Sequence, residues 1–216
     1  MNGKLPPEDI DASDDAPFPR FASRGRAFVY IAPCRDDTVF KVGFSRNPLE
    51  RFRTLHPRFF EFFDLERGLL IATDYVREAR RIERRLILAL KDYQALQPLV
   101  VTQSAAGQTE WFRGALADAE AIVAEFETAE GFTIHRPAAA WLRLVLRERQ
   151  DLLFAWTTRM LDAIEYETHN RVECSDATPC EDALGNTLDA YAAFSIDLAP
   201  LLPDDVIRWY ANRRAK

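Results

Sequence analysis

The sequence predicts an α+β fold, with a three-stranded antiparallel sheet flanked by helices and an all-helical region after it. Three observations support this prediction. Two runs rich in β-branched and aromatic residues are separated by a short polar stretch within residues 28–42. Apolar residues recur at helical spacing across residues 74–93. Residues 138–170 contain neither Gly nor Pro and continue a helical spacing of apolar residues.

The first two predicted strands form a hairpin. Residues 28–32 and 39–42 carry the strand-forming side chains, and the polar, turn-prone residues 33–38 connect them. Gly43 ends the second strand. Residues 45–48 then supply cap and first-turn chemistry for a helix that carries Arg51.

A third strand is predicted at residues 68–72, and the helix at 74–93 follows it with Asp74 as its cap. The buried face of this helix is formed by Val76, Ala79, Ile82, Leu86, Ala89 and Leu90. Glu83 borders that face. From the pattern alone, Glu83 is either an inward-facing acid or an intrahelical partner for the neighbouring arginines.

The remaining elements are mostly helical. A short strand at residues 99–102 precedes a helix at 116–126, and Gly131 is a suitable stop signal. Residues 138–170 form one long helix or two helices joined near Gln150. Two further helices are predicted at residues 181–198 and at 204–213, the last capped by Asp204.

Three regions follow from these patterns. Residues 1–25 are acidic and rich in Pro, and they predict a disordered or loosely attached tail. Residues 26–131 form the α+β domain, and residues 137–216 form a helical domain. In this last region acidic residues outnumber basic ones, so we expect it to pack on the α+β domain or on a second copy of itself, through Trp141, Trp156 or neighbouring leucines.

The composition limits the classes to which this protein can belong. No apolar run approaches the roughly 20 residues that span a bilayer, and the amino terminus lacks the apolar core of a secretory signal. The three cysteines are sparse and odd in number, which favours a reduced, cytoplasmic location. The net charge of -6 argues against non-specific nucleic-acid binding by the whole surface, but it leaves room for a local basic face.

A set of short motifs occurs in a recognisable order. Val-Tyr ends at Tyr30, Lys-Val-Gly begins at Lys41, Arg51 follows in a helix, Glu83 follows in the next long helix, and Glu-Trp-Phe begins at Glu110. Over residues 26–126 this arrangement resembles the GIY-YIG nuclease superfamily, and within it the phage-type branch that carries Lys-Ile-Gly and Glu-Trp-Phe. The sequence departs from the superfamily pattern in three places: Lys41 stands where the second tyrosine is usual, Phe28 replaces the first glycine, and Leu55 or His56 occupies the place of a frequent histidine.

The resemblance implies a metal-dependent endonuclease that hydrolyses DNA phosphodiester bonds. Glu83 would bind Mg²⁺ or another divalent cation, in a site otherwise bare of acids. Arg51 would clamp the scissile phosphate. Tyr30 would transfer a proton or orient the attacking water, and Lys41 would stabilise the pentavalent phosphate or act as a base if its pKa were lowered.

The basic face of the helix that carries Glu83 is the predicted DNA contact. Its arginines Arg77, Arg80, Arg81 and Arg84 would bind the phosphate backbone, or would form a solvated face paired with carboxylates. Two other functions remain open at this point. One is a non-catalytic nucleic-acid-binding module, and the other is a protein-interaction factor of a toxin or defence system whose helical domain binds a partner or a second copy.

Overall fold

The computed structural model describes residues 25–101, 107, 109–170 and 177–215. The predicted amino-terminal tail therefore lies outside the described residues, except for Gly25. The described residues confirm the α+β class. The strands are β1 Ala27–Pro33, β2 Val39–Ser45, β3 Leu69–Thr73, β4 Trp111–Arg113 and β5 Thr133–His135. The helices are α1 Pro48–Leu55, α2 Phe59–Phe62, α3 Val76–Ala89, α4 Leu116–Glu130, α5 Ala138–Glu148, α6 Leu153–Asn170, α7 Pro179–Ala193 and α8 Asp204–Arg214.

The sheet has five strands in the order β4-β2-β1-β3-β5, and all neighbouring pairs are antiparallel. The predicted three strands form its centre, and the prediction missed β4 and β5 at the two edges. The short strand predicted at residues 99–102 is wrong for the residues described there, which form a turn. The edge position next to β2 is occupied instead by β4.

Two apolar layers cover the sheet. On one face, Val29, Ile31 and Val42 pack with α3 and α4. On the other face, Phe28, Tyr30 and Ala32 pack with α1, α2 and the helices after β5 in one continuous cluster. This division follows from the alternation of side chains along a strand, because neighbouring residues of β1 point to opposite faces.

The helix boundaries differ slightly from the sequence prediction. Helix α3 begins at Val76, and the Tyr75 N–H donates to Glu78 Oε2 at 3.2 Å, so Asp74 is not its cap. Helix α4 ends at Gly131, whose φ of 74° is the left-handed conformation that favours glycine. The predicted break near Gln150 is present as a 3₁₀ turn between α5 and α6. Pro203, rather than Asp204, precedes the first residue of α8.

The helical region after β5 is attached directly to the sheet domain. The N–H groups of Ala138 and Ala139 donate to the carbonyls of Gly68 and Leu65 at 2.8 and 3.0 Å. The Trp141 ring lies 4.8 Å from that of Phe28 on β1, measured between centroids. This confirms the expectation that the helical region packs on the α+β domain through Trp141. Among the described helices, none is long and apolar enough to cross a membrane.

Candidate functional site

The site lies along the edge of β2, at the point where its pairing with β4 stops. The pairing runs from Val39 to Lys41, and the Val42 N–H then donates to the Glu110 carbonyl at 2.9 Å. The Phe44 N–H, two residues further, points to the same edge of the strand. Its acceptor is the Glu83 carboxylate of α3. Glu83 therefore takes the place of a neighbouring strand beyond the end of β4.

Tyr30 and Lys41 project from the same face of the sheet, as the alternation of side chains in a hairpin requires. Tyr30 pairs with Gly43, and Lys41 lies two residues before Gly43 on β2. The Tyr30 ring is fully buried and crosses directly over Gly43. A Cβ at position 43 would come within 2.6 Å of Tyr30 Cζ, so only glycine accommodates the ring there.

Arg51 joins Tyr30 from helix α1. The Asn47 side chain accepts from the Glu50 N–H at 3.4 Å, and Pro48 occupies the first turn, so the start of this helix is well defined. The Arg51 Nε donates to Tyr30 Oη at 3.3 Å. Burial raises the pKa of the Tyr30 phenol, and the Arg51 charge and hydrogen bond only partly oppose that rise. Tyr30 is therefore a neutral phenol at neutral pH.

Lys41 is fully buried and ion-paired. Its Nζ lies 2.6 Å from Glu110 Oε2 and 5.1 Å from the centre of the Trp111 ring. Burial lowers the pKa of Lys41, while the charge and hydrogen bond of Glu110 oppose this effect. Arg51 lowers the pKa further, and Glu83 raises it. The charges of Glu110, Glu83 and Arg51 therefore all act on the Lys41 ammonium.

The surroundings of Glu83 disfavour its ionised form. Burial, followed by the negative charge of Glu110, raises the pKa of Glu83 to about 7. The opposing influences are Lys41, the Phe44 N–H and Arg51. Among the described residues, its hydrogen-bond donor is on β2 rather than an arginine of its own helix, so the intrahelical alternative is not the one adopted.

The structure brings together all four residues predicted for the reaction, and it adds one that was not predicted. Tyr30, Lys41, Arg51 and Glu83 are electrostatically coupled to one another or to Glu110. The expectation of a site otherwise bare of acids is wrong, because Glu110 lies within it. The sequence contained a signal for this acid in the Glu-Trp-Phe motif, but placing its side chain required strand β4 and its register.

The residues present fit a divalent cation. No group of three or more His, Cys, Asp and Glu side chains suited to a metal occurs among the described residues. Mg²⁺ does not need such a group, because it binds through one or two carboxylates and keeps several waters. Burial and a second carboxylate, Glu110, raise the pKa of Glu83. A bound divalent cation would oppose both influences, because its positive charge favours the ionised carboxylate.

The arginines of α3 divide between two sides of the helix. Arg81 and Arg85 pair with Glu130 and Glu125 of α4, each at 2.5 Å. Arg80 lies over the Phe44 ring at 5.7 Å, on the side of the helix that holds Glu83. The Arg77 guanidinium lies over the Tyr75 ring at 4.6 Å. Arg77, Arg80 and Arg84 are exposed, and Arg81 is exposed but paired with Glu130.

The part of the chain that holds the site is similar to a known protein family. Residues 27–127 match the family model described as the T5orf172 domain. A T5orf172 domain is compatible with a nuclease-like or DNA-binding role. The match spans β1 to α4 and includes every residue of the site, but it does not cover the helical region after β5. No curated protein and no solved structure matched the chain.

Proposed function

We propose that the protein is a metal-dependent endonuclease that hydrolyses DNA phosphodiester bonds. The observation that carries the proposal is the convergence of Glu83 with Arg51, Tyr30 and Lys41 at the open edge of β2. Phosphodiester hydrolysis needs groups that neutralise charge on the phosphate, a group that orients the attacking water, and a site for a cation. These side chains supply each of them.

The roles of the side chains follow from their environments. Glu83 would hold Mg²⁺, which when bound would polarise the phosphate and lower the pKa of a bound water. Arg51 would bind the scissile phosphate through its planar guanidinium group, whose fork matches the geometry of phosphate oxygens. Tyr30 accepts a hydrogen bond from Arg51 and keeps its own proton, so it would orient the attacking water or a phosphate oxygen by donating a hydrogen bond to it.

Lys41 would contribute positive charge to the same phosphate. A fixed cation in a water-poor site stabilises the extra negative charge of the pentavalent transition state more strongly than one in bulk water. The exposed arginines of α3 would extend the contact to neighbouring backbone phosphates. The DNA would then run along the β2 edge, between α1 and α3.

A plasmid-nicking experiment tests the proposal. The full chain is incubated with supercoiled plasmid and Mg²⁺ or EDTA, and the variants Glu83→Gln and Glu120→Gln are compared with the parent. Glu120 is an exposed residue of α4 and serves as the matched control. We expect nicking by the parent and by Glu120→Gln in Mg²⁺, and none by Glu83→Gln or with EDTA. Equal nicking by Glu83→Gln would remove Glu83 from the mechanism.

The same experiment identifies the second candidate function, a non-catalytic nucleic-acid-binding module. This candidate is favoured by Lys41 itself, which stands where the second tyrosine of the superfamily is usual. Retardation of DNA on a gel without nicking, under any of the metal conditions, would support the binding module and contradict the enzyme.

A further inference from the structure

Lys41 and Glu110 form a close ion pair in the interior of the site. Lys41 has no solvent exposure, and a buried ammonium without an ionic or hydrogen-bond partner is strongly unfavourable. Glu110 Oε2 lies 2.6 Å from the ammonium, the short distance of a charge-assisted hydrogen bond. The Glu110 side chain is about one quarter exposed, so it reaches the buried lysine from the solvent side of the site.

The position of Glu110 is set by the backbone on both sides of it. Its carbonyl accepts from the Val42 N–H at 2.9 Å, and Trp111, the next residue, pairs with Lys41. The carboxylate also folds back over Gly107, whose φ is +55°. A Cβ at position 107 would lie 2.5 Å from Glu110 Cδ, so the backbone and the glycine together leave the carboxylate facing Lys41.

We propose that Glu110 is a positioning residue: its carboxylate holds the Lys41 ammonium at the edge of β2 and keeps it charged, so that Lys41 serves as a fixed cation and not as a base. The inference rests on the proposed function for its meaning in catalysis. The effect of Glu110 on Lys41 can be measured without measuring DNA cleavage.

The other charges around Lys41 give the direction of the expected effect. Arg51 of α1 and Glu83 of α3 face the ammonium in addition to Glu110, and the Trp111 ring covers it on one side. Burial is the main influence that lowers the pKa of Lys41, and Glu110 is the first of those that oppose it. Removing the charge of Glu110 therefore lowers the pKa of Lys41 further and favours its neutral form.

The experiment follows the lysine directly by NMR on the full chain labelled with ¹³C,¹⁵N-lysine. The sequence contains only four lysines, so the Lys41 signal is assigned from its loss in Lys41→Met. The pH midpoint of Lys41 is measured in the parent, in Glu110→Gln and in the control Glu120→Gln. We expect the midpoint to fall by about one pH unit or more in Glu110→Gln and to stay unchanged in the control. An unchanged midpoint in Glu110→Gln would overturn the proposal.

A second variant guards against loss of the fold. Gly107→Ala keeps the carboxylate but displaces it, and it is expected to lower the Lys41 midpoint in the same direction by a smaller amount. Thermal unfolding of each variant is recorded in parallel. If Glu110→Gln does not fold, Gly107→Ala decides the matter, and an unchanged Lys41 midpoint in that variant would overturn the proposal.

The nicking activity as a function of pH separates this inference from the proposed function. In Glu110→Gln, the loss of activity at high pH should begin at a lower pH than in the parent, because the Lys41 charge is lost earlier. A shifted Lys41 midpoint in a protein that never nicks DNA would support the positioning role and refute the nuclease. The opposite outcome is a parent protein that nicks DNA while Glu110→Gln changes neither the Lys41 midpoint nor the pH at which activity is lost. That outcome would support the nuclease and refute the positioning role.

Discussion

At the scale of single residues, Glu83 is placed where its ionised form is unfavourable. Its carboxylate is partly buried, and Glu110 adds a second negative charge nearby, so the pKa of Glu83 rises from 4.5 to about 7. A carboxyl group whose pKa lies near neutral pH, in a site that also holds Arg51 and Lys41, is typical of a functional residue. Without a bound cation, the partly buried Glu83 carboxylate destabilises the folded protein, and this loss of stability can be measured.

We expect Glu83→Gln to be more stable than the parent at pH 8 without divalent cations. Between pH 4.5 and 7 the folded protein retains a proton on Glu83 that the unfolded chain releases, so the stability of the parent falls as the pH rises through this range. At about 1.4 kcal/mol per pH unit, the difference at pH 8 amounts to at most about 3.5 kcal/mol, and it disappears towards pH 4. Urea unfolding at several pH values measures it, with Glu120→Gln as the control.

Two results decide this prediction. Added Mg²⁺ should raise the stability of the parent and leave Glu83→Gln unchanged, because a cation that binds only the folded state stabilises it. A Glu83→Gln variant that is less stable than the parent at pH 8 would mean that the carboxylate stabilises the fold, and that its hydrogen bond from Phe44 outweighs its burial.

The residues of the site differ in how far the sequence could predict them. Tyr30 and Lys41 were predictable because alternation along a hairpin fixes which side chains share a face. Arg51 was predictable from the cap that starts α1 one turn earlier. The role of Glu110 was not, because its side chain depends on the register of β4 and on the conformation of Gly107. No local pattern specifies that register.

At the scale of elements, helix α3 combines three surfaces in fourteen residues. One face is buried against the sheet, a second pairs with α4 through Arg81 and Arg85, and a third carries Glu83 and the exposed arginines. Neighbouring positions on a helix are separated by about 100°, so Arg84 and Arg85 lie on different surfaces although they are adjacent in sequence. These two residues form a natural pair for comparison.

We expect Arg84→Ala to weaken DNA binding and Arg85→Ala to leave it nearly unchanged. Arg84 is exposed and lies one turn after Arg80, which is on the side of the helix that holds Glu83. Arg85 is instead paired with Glu125. Loss of one phosphate contact lowers the slope of log affinity against log salt by about 1. Titration of a labelled duplex at several salt concentrations measures both values. Equal losses of DNA affinity in the two variants would show that DNA does not bind the Arg84 surface in preference to the Arg85 surface.

The elements that the sequence predicted well are those with long periodic patterns. Helices α3 to α8 and the three central strands follow from apolar periodicity and from Gly and Pro positions. The edge strands β4 and β5 have three residues each, too few to show alternation. They form because β2 and β3 offer open edges to chain segments that already lie beside them, and this is a tertiary effect.

At the scale of the whole molecule, the sheet domain and the helical region share one apolar cluster. Besides the contact between Trp141 and Phe28, the rings of Phe59 and Phe194 lie 6.2 Å apart. A polar network joins the same two parts. Asp189 of α7 accepts from Arg58 at 2.7 Å, and Tyr210 Oη of α8 donates to it at 2.7 Å. The helical region therefore completes the core on the face of the sheet that holds α1.

A chain that ends after Gly131 tests the role of the helical region. The truncation removes β5 and the helices that cover Phe28 and Phe59, and it exposes apolar surface of the kind that drives association. The removed residues carry more acidic than basic side chains, and the predicted DNA contacts all lie before Gly131. We therefore expect the truncated chain to form oligomers or aggregates while it keeps its intrinsic affinity for DNA.

Light scattering and DNA titration at one fixed salt concentration, both beside the full chain, measure these two properties. Mild detergent or low protein concentration keeps the truncated chain dispersed for the titration, and the full chain under the same conditions is the control. An acidic helical region repels phosphate, so its removal should not reduce binding. If the truncated chain instead stays monomeric and soluble but binds DNA much more weakly, the helical region contacts DNA itself, and the DNA path must leave the β2 edge and continue across α5 to α8.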